Sequence, residues 1–199
     1  RYFTRWQFSR QIFEPADREI PLPNSLAPVV VGWIGHPSHV RLLDTVGPTL
    51  RPLQEKYGVK VKVVSSRKWA FPGLQVINKE WRLEDEVADV QSFDIGLMPL
   101  DANDPYLKGK CGFKIVEYMA VGVPPVASSV GANDEIIEHG INGFLVSDSS
   151  EWADYLEMLV QDHILRHKMA VAARHRVVED YSASSVLPRY LSLLESLVC

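Results

Sequence analysis

The sequence predicts a doubly wound α/β domain, a Rossmann-like parallel sheet with helices on both faces. Three observations predict it. Apolar runs of strand length recur between residues 29 and 146. Most of the segments between them carry helical periodicity. The first of the runs, VVVGWIG (29–35), is continuously apolar, as in a strand covered on both faces. Strands that alternate with helices join by right-handed crossovers, which gives a parallel sheet.

The elements follow in order. The first strand is 29–35. His36, Pro37 and Ser38 form a loop, and a helical stretch runs from about His39 to Tyr57, interrupted at Gly47-Pro48. VKVKVVS (59–65) is the second strand and LQVIN (74–78) a short third. Residues 82–93 read as a helix with Leu83, Val87 and Val90 on one face. Residues 94–100 form the fourth strand. A helix near 113–121 leads to the fifth strand at 124–128. Asn133 is a candidate cap for a short helix at 133–139, and GFLV (143–146) is the sixth strand. Helical segments near 149–161, 163–180 and 184–198 close the chain, the last with Leu187, Leu191, Leu194 and Val198 on one stripe. Residues 1–28 carry five aromatics and prolines at Pro15, Pro21, Pro23 and Pro28. They read as an irregular lead-in segment, which leaves 29–199 as the domain.

Composition narrows the function. The chain has 199 residues, enough for a sizeable core, with 46% hydrophobic and 23% charged residues. Its net charge of −4 gives no general footprint for nucleic acid. No apolar run reaches the length of a membrane span, and RYFTRWQF at the start has no signal-peptide core. Cys111 and Cys199, the two cysteines, make neither a disulfide framework nor a four-ligand zinc site, which suits a reducing, cytoplasmic compartment. Cys111 reads as a small residue in a tight loop. The start at Arg1 is read as part of a longer protein, so half of a site is expected elsewhere.

In an open parallel sheet, ligands bind at the carboxyl ends of the strands. The loops at 35–38, 65–73, 78–81, 100–113 and 129–133 all follow strands and are expected on one rim. The stretch GKCGFKIVEYMA (109–120) concentrates chemistry there. A helix N-terminus offers unpaired N–H groups and partial positive charge. Gly109 and Gly112 allow close backbone approach, and Lys110 and Lys114 add full charges. That combination suits a phosphate or diphosphate. Glu117, three residues after Lys114, is placed to accept hydrogen bonds from paired hydroxyls such as those of a ribose. A solvated Lys114–Glu117 pair on an ordinary helix is the plain alternative. In WIGHPS, Gly35 and Ser38 are placed to bring amides and a hydroxyl to the same phosphates, and His36 to touch them; an ordinary strand-to-helix turn explains the stretch equally well. Neither a P-loop nor the dinucleotide glycine fingerprint is present. His163 and His167 have i, i+4 spacing without an adjacent acid or a third ligand, so a solvated helix face explains them better than zinc.

The stretch GKCGFKIVEYMAVGVPPVASSVGANDEIIEHGINGFLV, followed by EW and a helix with Arg166, resembles the nucleotide-sugar half of a retaining family 4 glycosyltransferase. The resemblance extends back through FDIGLMPL and WIGHPS and covers roughly residues 29–198. It implies the C-terminal Rossmann-like domain of a GT-B fold. By the same resemblance, Glu117 matches the acid that binds the donor ribose. Lys114 and the amides around Gly112 and Phe113 match the diphosphate cradle, with Lys110 beside it. Gly35, His36 and Ser38 fall in the first loop, near donor phosphate and sugar. Asn78 and Trp81 bound the stretch that borders the base. The chain departs from the pattern at one place: the first of two glutamates seven residues apart falls at Gly109. Asp101 and Asp104 are candidate replacements. Arg67 and Lys68 either reach the nucleotide or form a solvated pair.

The implied reaction is hexosyl transfer from a nucleoside-diphosphate sugar to a glycan or lipid-linked acceptor. Lys114, the amides and the helix dipole would stabilise charge on the departing diphosphate. No metal or other cofactor is expected, because the sequence has no DxD triplet or ligand cluster. The expected partners are the sugar nucleotide and an N-terminal acceptor domain. Through that domain the enzyme would contact the inner face of a membrane, in cell-envelope polysaccharide or glycoconjugate synthesis. The alternative is a non-catalytic nucleotide- or partner-binding module of the same fold. A Rossmann dehydrogenase is disfavoured by the absent fingerprint.

Overall fold

The computed structural model of the chain describes residues 27–197. The lead-in segment, apart from its last two residues, and Val198 of the C-terminal stripe lie outside the described residues. Six parallel strands form the sheet: β1 (Val30–Ile34), β2 (Lys60–Val64), β3 (Val76–Lys79), β4 (Ile95–Met98), β5 (Pro125–Ser128) and β6 (Phe144–Val146). Their order is β3-β2-β1-β4-β5-β6, the doubly wound arrangement the sequence predicts. The order reverses between β1 and β4, where the crevice for a ligand opens.

One face of the sheet is covered by a 3₁₀ helix (Pro37–Thr45), α1 (Gly47–Tyr57) and, at β5 and β6, α6 (Glu151–Gln161). Val31, Trp33, Leu43, Leu50, Trp152 and Leu156 share the core there. The opposite face carries α2 (Glu86–Gln91) and α4 (Phe113–Ala120), and α7 (His163–Asp180) packs over α4. Connections include α3 (Pro105–Lys108) and α5 (Asn133–Ile136), and α8 (Ala183–Ser196) closes the described chain. None of the described helices is long and apolar enough to cross a membrane.

Several local expectations shift. The helical stretch after β1 begins at Pro37, as 3₁₀, because His36 caps it: its Nδ1 accepts from the Ser38 amide. Gly47 and Pro48 open α1 rather than interrupting a helix, since proline fits a first turn. In the segment 82–93, a 3₁₀ turn at Leu83–Asp85 precedes α2, and Leu83 faces solvent while Val90 is buried. Asn133 does not cap α5. It is fully buried, and its Nδ2 donates to the Ser128 carbonyl at 2.8 Å. α3 lies inside a stretch read as loop; Asp104 caps it by accepting from Tyr106 N–H. The leucine stripe of α8 is exposed rather than packed, with Leu187, Leu191 and Leu194 between 42 and 48% accessible. His163 and His167 are half-buried rather than solvated.

β1 and β4 pair only through Val31–Ile95 and Gly32–Gly96, then separate. The two facing glycines leave room for aromatic rings: a Cβ at Gly32 would strike Phe93, and one at Gly96 would strike Tyr118. Beyond them, the buried Tyr118 hydroxyl accepts from Ile34 N–H at 3.2 Å and donates to the Leu97 carbonyl at 3.1 Å. Burial also pushes the Tyr118 phenol well above its ordinary range, so it stays neutral and able to donate. Tyr118→Phe would leave a buried donor and acceptor without this partner. Chemical denaturation is expected to show a loss of roughly 1–3 kcal/mol.

Candidate functional site

A cavity of about 860 Å³ opens at the carboxyl ends of β1 and β4. Four segments build it: the turn after β1, Ser66 after β2, Trp81 and Glu86 after β3, and the connection from β4 into α4. The predicted residues Gly35, His36, Trp81, Lys110, Gly112, Phe113, Lys114 and Glu117 all line it.

The start of α4 is the cationic end. Gly112 caps the helix with φ 65°, where L side chains are strained, and a Cβ there would lie 2.3 Å from Ile136 Cδ1. Only glycine meets both constraints. The first amides of α4 follow directly, with no carbonyl one turn back to accept from them. The Lys114 Nζ lies 4.4 Å from the centre of the Trp33 ring. It fills the space beside Gly35, where a Cβ would come within 2.2 Å of it. Burial pushes the Lys114 ammonium down to about 7; Lys110 adds to the effect and Glu117 acts against it. Glu117, 7% accessible, sits one turn further into α4. The pair is therefore not the solvated surface pair that the sequence also allowed.

A second cluster bridges the two loops. The Lys110 Nζ lies 3.2 Å from His39 Nε2, and the His39 ring stacks on Tyr106 with centroids 6.4 Å apart and planes 11° apart. Burial, then Lys110, Lys114 and other nearby cations, pushes the His39 imidazole down to about 4. His39 is thus neutral at pH 7, and its Nε2 accepts from the lysine. Burial lowers the Lys110 ammonium too.

Some predicted residues lie elsewhere. Ser38 is not part of the wall; its hydroxyl pairs with His36 Nδ1 at 2.8 Å. The Gly35 amide is committed to the Val64 carbonyl at 3.0 Å, so Gly35 contributes space rather than a donor. Asn78 also stays out: Trp69 N–H donates to its Oδ1 at 2.7 Å and its Nδ2 donates to Trp69 C=O at 2.9 Å, which fixes the 66–75 loop. Asp101 and Asp104 serve local turns, accepting from Asn103 and Tyr106 amides, and line nothing. Arg67 and Lys68 are exposed. Sequence reasoning missed His39, Tyr106, Ser66 and Glu86. Only Tyr106 had a local signal, because Asp104-Pro105 announces a helix start that turns it toward the loop after β1. Among the described residues, no group of three or more His, Cys, Asp or Glu side chains is placed to hold a metal ion.

Six parallel strands with a cationic helix start beside the switch point define a Rossmann-type α/β domain. The family model described as "Glycosyl transferases group 1" matches residues 29–162, and the chain belongs to that family. It is 29% identical over 109 residues to an N-acetyl-alpha-D-glucosaminyl L-malate synthase of Bacillus anthracis, covering 54% of this chain and 27% of that protein. It is 33% identical over 116 residues to a D-inositol 3-phosphate glycosyltransferase of Pseudarthrobacter chlorophenolicus, covering 50% and 28%. The chain thus spans about a quarter of these curated relatives. Among solved structures, Anabaena Alr3699/HepE in complex with UDP-glucose superposes with a TM-score of 0.65 at 20% identity, over 86% of this chain and 50% of that one. The C-terminal domain of the group 1 protein LpcC from Francisella tularensis gives 0.62 at 23% identity, over 87% and 98%. The fold is that of the C-terminal half of a GT-B enzyme.

The desolvated lysine carries a stability cost with a definite pH dependence. Its folded pKa of about 7 lies below its ordinary 10.5, so the unfolded chain binds more protons between those values. The cost is absent above 10.5, grows as pH falls, and is complete below about 7. Denaturation of wild type and Lys114→Met at pH 7 and pH 9.5 is expected to show the variant more stable at pH 7, with the difference shrinking at the higher pH.

Proposed function

We propose that this chain is the donor-binding domain of a retaining glycosyltransferase that moves a hexosyl group from a nucleoside-diphosphate sugar to a glycan or lipid-linked acceptor. One observation carries the reading. The Lys114 ammonium is held, largely stripped of water, at a helix N-terminus in a cavity that also contains the buried acid Glu117. A surface ion pair would not be built this way. A diphosphate adds negative charge beside Lys114 and Lys110, whose ammonium groups burial penalises, and Glu117 accepts from the ribose hydroxyls.

In the reaction, the bond between the sugar and the diphosphate breaks and negative charge grows on the leaving oxygen. Lys114, Lys110 and the amides around Gly112 and Phe113 stabilise that charge where it develops. The departing phosphate takes the acceptor's proton on the same face of the sugar, which retains the anomeric configuration without a general base from this domain. The protein's own cations meet the diphosphate, with no metal required. The acceptor site belongs to an N-terminal domain, since the chain spans half of the HepE structure it resembles. By itself the chain binds donor and does not transfer. The proposed setting is the cytoplasmic face of a membrane, reached through that other domain, in the synthesis of a cell-surface glycan. The glycine at position 109, where the family pattern has an acid, does not decide between this reading and a second one, a module that binds a nucleotide or partner without catalysis.

Calorimetric titration of the chain with UDP, GDP and ADP tests the reading. One nucleotide is expected to bind, and Glu117→Ala to weaken it by roughly tenfold or more, the effect of losing hydrogen bonds to a charged acceptor. No binding by any of them, with folded protein, overturns the proposal. Binding is also expected to weaken as pH rises above about 7, because Lys114 must then take up a proton to meet the diphosphate. Lys114→Met removes that dependence and most of the affinity.

A further inference from the structure

One wall of the cavity is made of rings. His36 and His39, from the turn after β1, and Tyr106, from α3, all line it. The His36 and His39 rings meet edge to face with centroids 6.0 Å apart, and the His39 and Tyr106 rings stack with planes 11° from parallel. A cation is set into this row: Lys110 Nζ lies 3.2 Å from His39 Nε2 and 5.9 Å from the centre of the Tyr106 ring. Tyr106 is the most open of the three, 72% accessible, and its backbone amide anchors it by donating to Asp104 Oδ1 at 2.8 Å. Gly109, on the same wall, leaves space in front of it. Its φ of −80° suits any residue, and a Cβ there would make only ordinary contact, 3.7 Å from the Tyr106 carbonyl oxygen. Neither conformation nor crowding calls for glycine at this point.

Diphosphate binding does not use such a wall. Phosphate oxygens take N–H groups and positive charge and gain nothing from ring faces. His39 is neutral, so the row offers faces with a single cation among them. A pyranose is the complementary group. Its C–H groups carry slight positive charge and pack on the negative face of an aromatic ring, while its hydroxyls take hydrogen bonds at the rim. The order of groups along α4 points to the same part of a donor. Glu117 lies in the second turn, Lys114 in the first, Gly112 caps the helix, and Lys110 precedes the cap. A sugar nucleotide runs ribose, diphosphate, sugar. With the ribose at Glu117 and the diphosphate at the helix start, the sugar arrives where Lys110, His39 and Tyr106 meet.

We infer that Tyr106 is a sugar-binding residue whose ring packs on the transferred hexosyl group, with His39 behind it and Lys110 at the junction of sugar and diphosphate. The inference rests on the donor-binding function proposed above. Lys110 keeps two N–H donors beyond the one given to His39, enough for a phosphate oxygen and a sugar hydroxyl. A nucleoside diphosphate without its sugar leaves the Tyr106 face uncovered.

The test is a set of titrations of the chain with UDP, UDP-glucose and UDP-N-acetylglucosamine, GDP and GDP-mannose, and ADP and ADP-glucose, for wild type, Tyr106→Ala and Tyr106→Phe. For the base that binds, Tyr106→Ala is expected to weaken a sugar conjugate by roughly three- to tenfold, the size of one aromatic contact, and to leave the free diphosphate unchanged. Tyr106→Phe keeps the ring and is expected to bind both as wild type does. The exposure of Tyr106 lets both variants fold. An equal loss for diphosphate and conjugate overturns the assignment, because the ring then meets the nucleotide itself. So does an undiminished affinity for every conjugate in Tyr106→Ala, or a loss in Tyr106→Phe as large as in Tyr106→Ala, which traces the effect to the hydroxyl. In those cases nucleotide binding that depends on Glu117 leaves the donor site standing. No binding by any of the seven to folded wild type overturns both the sugar assignment and the donor-domain reading.

Discussion

Where β1 and β4 separate, the Tyr118 hydroxyl stands in for the missing strand ladder, accepting from Ile34 and donating to Leu97. A doubly wound sheet needs its central strands to part at the switch point, because that gap is the ligand crevice. The gap also strips two buried backbone groups of their partners, which is costly unless something replaces them. Tyr118 resolves the conflict and, being part of α4, ties that helix to both strands at once. Glu117 precedes it by one residue and Lys114 by about one turn, so the bond that closes the sheet also sets the register of the site. The Arg174 guanidinium fixes the other end of the helix from α7 by donating to the Ala120 carbonyl. α4 is therefore held at its start by Gly112 against Ile136, in its middle by Tyr118, and at its end by Arg174.

The electrostatics of the crevice follow from this rigidity. Lys114 cannot swing out to water without leaving the slot between Trp33 and Gly35. Burial penalises its charge, Glu117 offsets part of the penalty, and an entering anion would offset more. His39 is kept neutral by burial and then by the same cations, so it serves Lys110 as an acceptor rather than adding another positive charge. On the donor-binding reading proposed above, the site would give up folding stability for an arrangement that needs no reorganisation when a diphosphate arrives. That is the condition under which fixed charges stabilise a transition state better than water does.

How far the sequence reached depends on the kind of constraint. Apolar runs determined the central strands β1 and β4, because burial on both faces leaves no room for polar residues, whereas β2 and β3 keep lysines and partly exposed positions. The cluster GKCGFKIVEYMA announced the site, because a glycine, two lysines and an acid at a helix start have a local chemical meaning. Residues whose role depends on a distant partner were not legible. His39 gains its role from Lys110, 71 positions away, and Tyr118 from Ile34, 84 away. Asn133 illustrates the reverse failure. Its type suggests a helix cap, but the Ser128 carbonyl draws it into the interior. Asn78 was misplaced for the same reason, since its amide group is used up by Trp69.

The walls of the crevice are tied to one another. The groups that meet the leaving diphosphate come from the start of α4, which is locked by contacts to the sheet, α5 and α7. Trp81 and Glu86, from the β3–β4 connection, line the same crevice and are joined by an indole–carboxylate bond, and Trp81 packs against the cluster that holds Tyr118. A substitution in α4 disturbs the sheet junction, the anion site and the ribose acid together. The two walls of the crevice share one buried cluster, with Val90 and Trp81 on one side and Tyr118 on the other, so a change in either wall reaches the junction that Tyr118 closes.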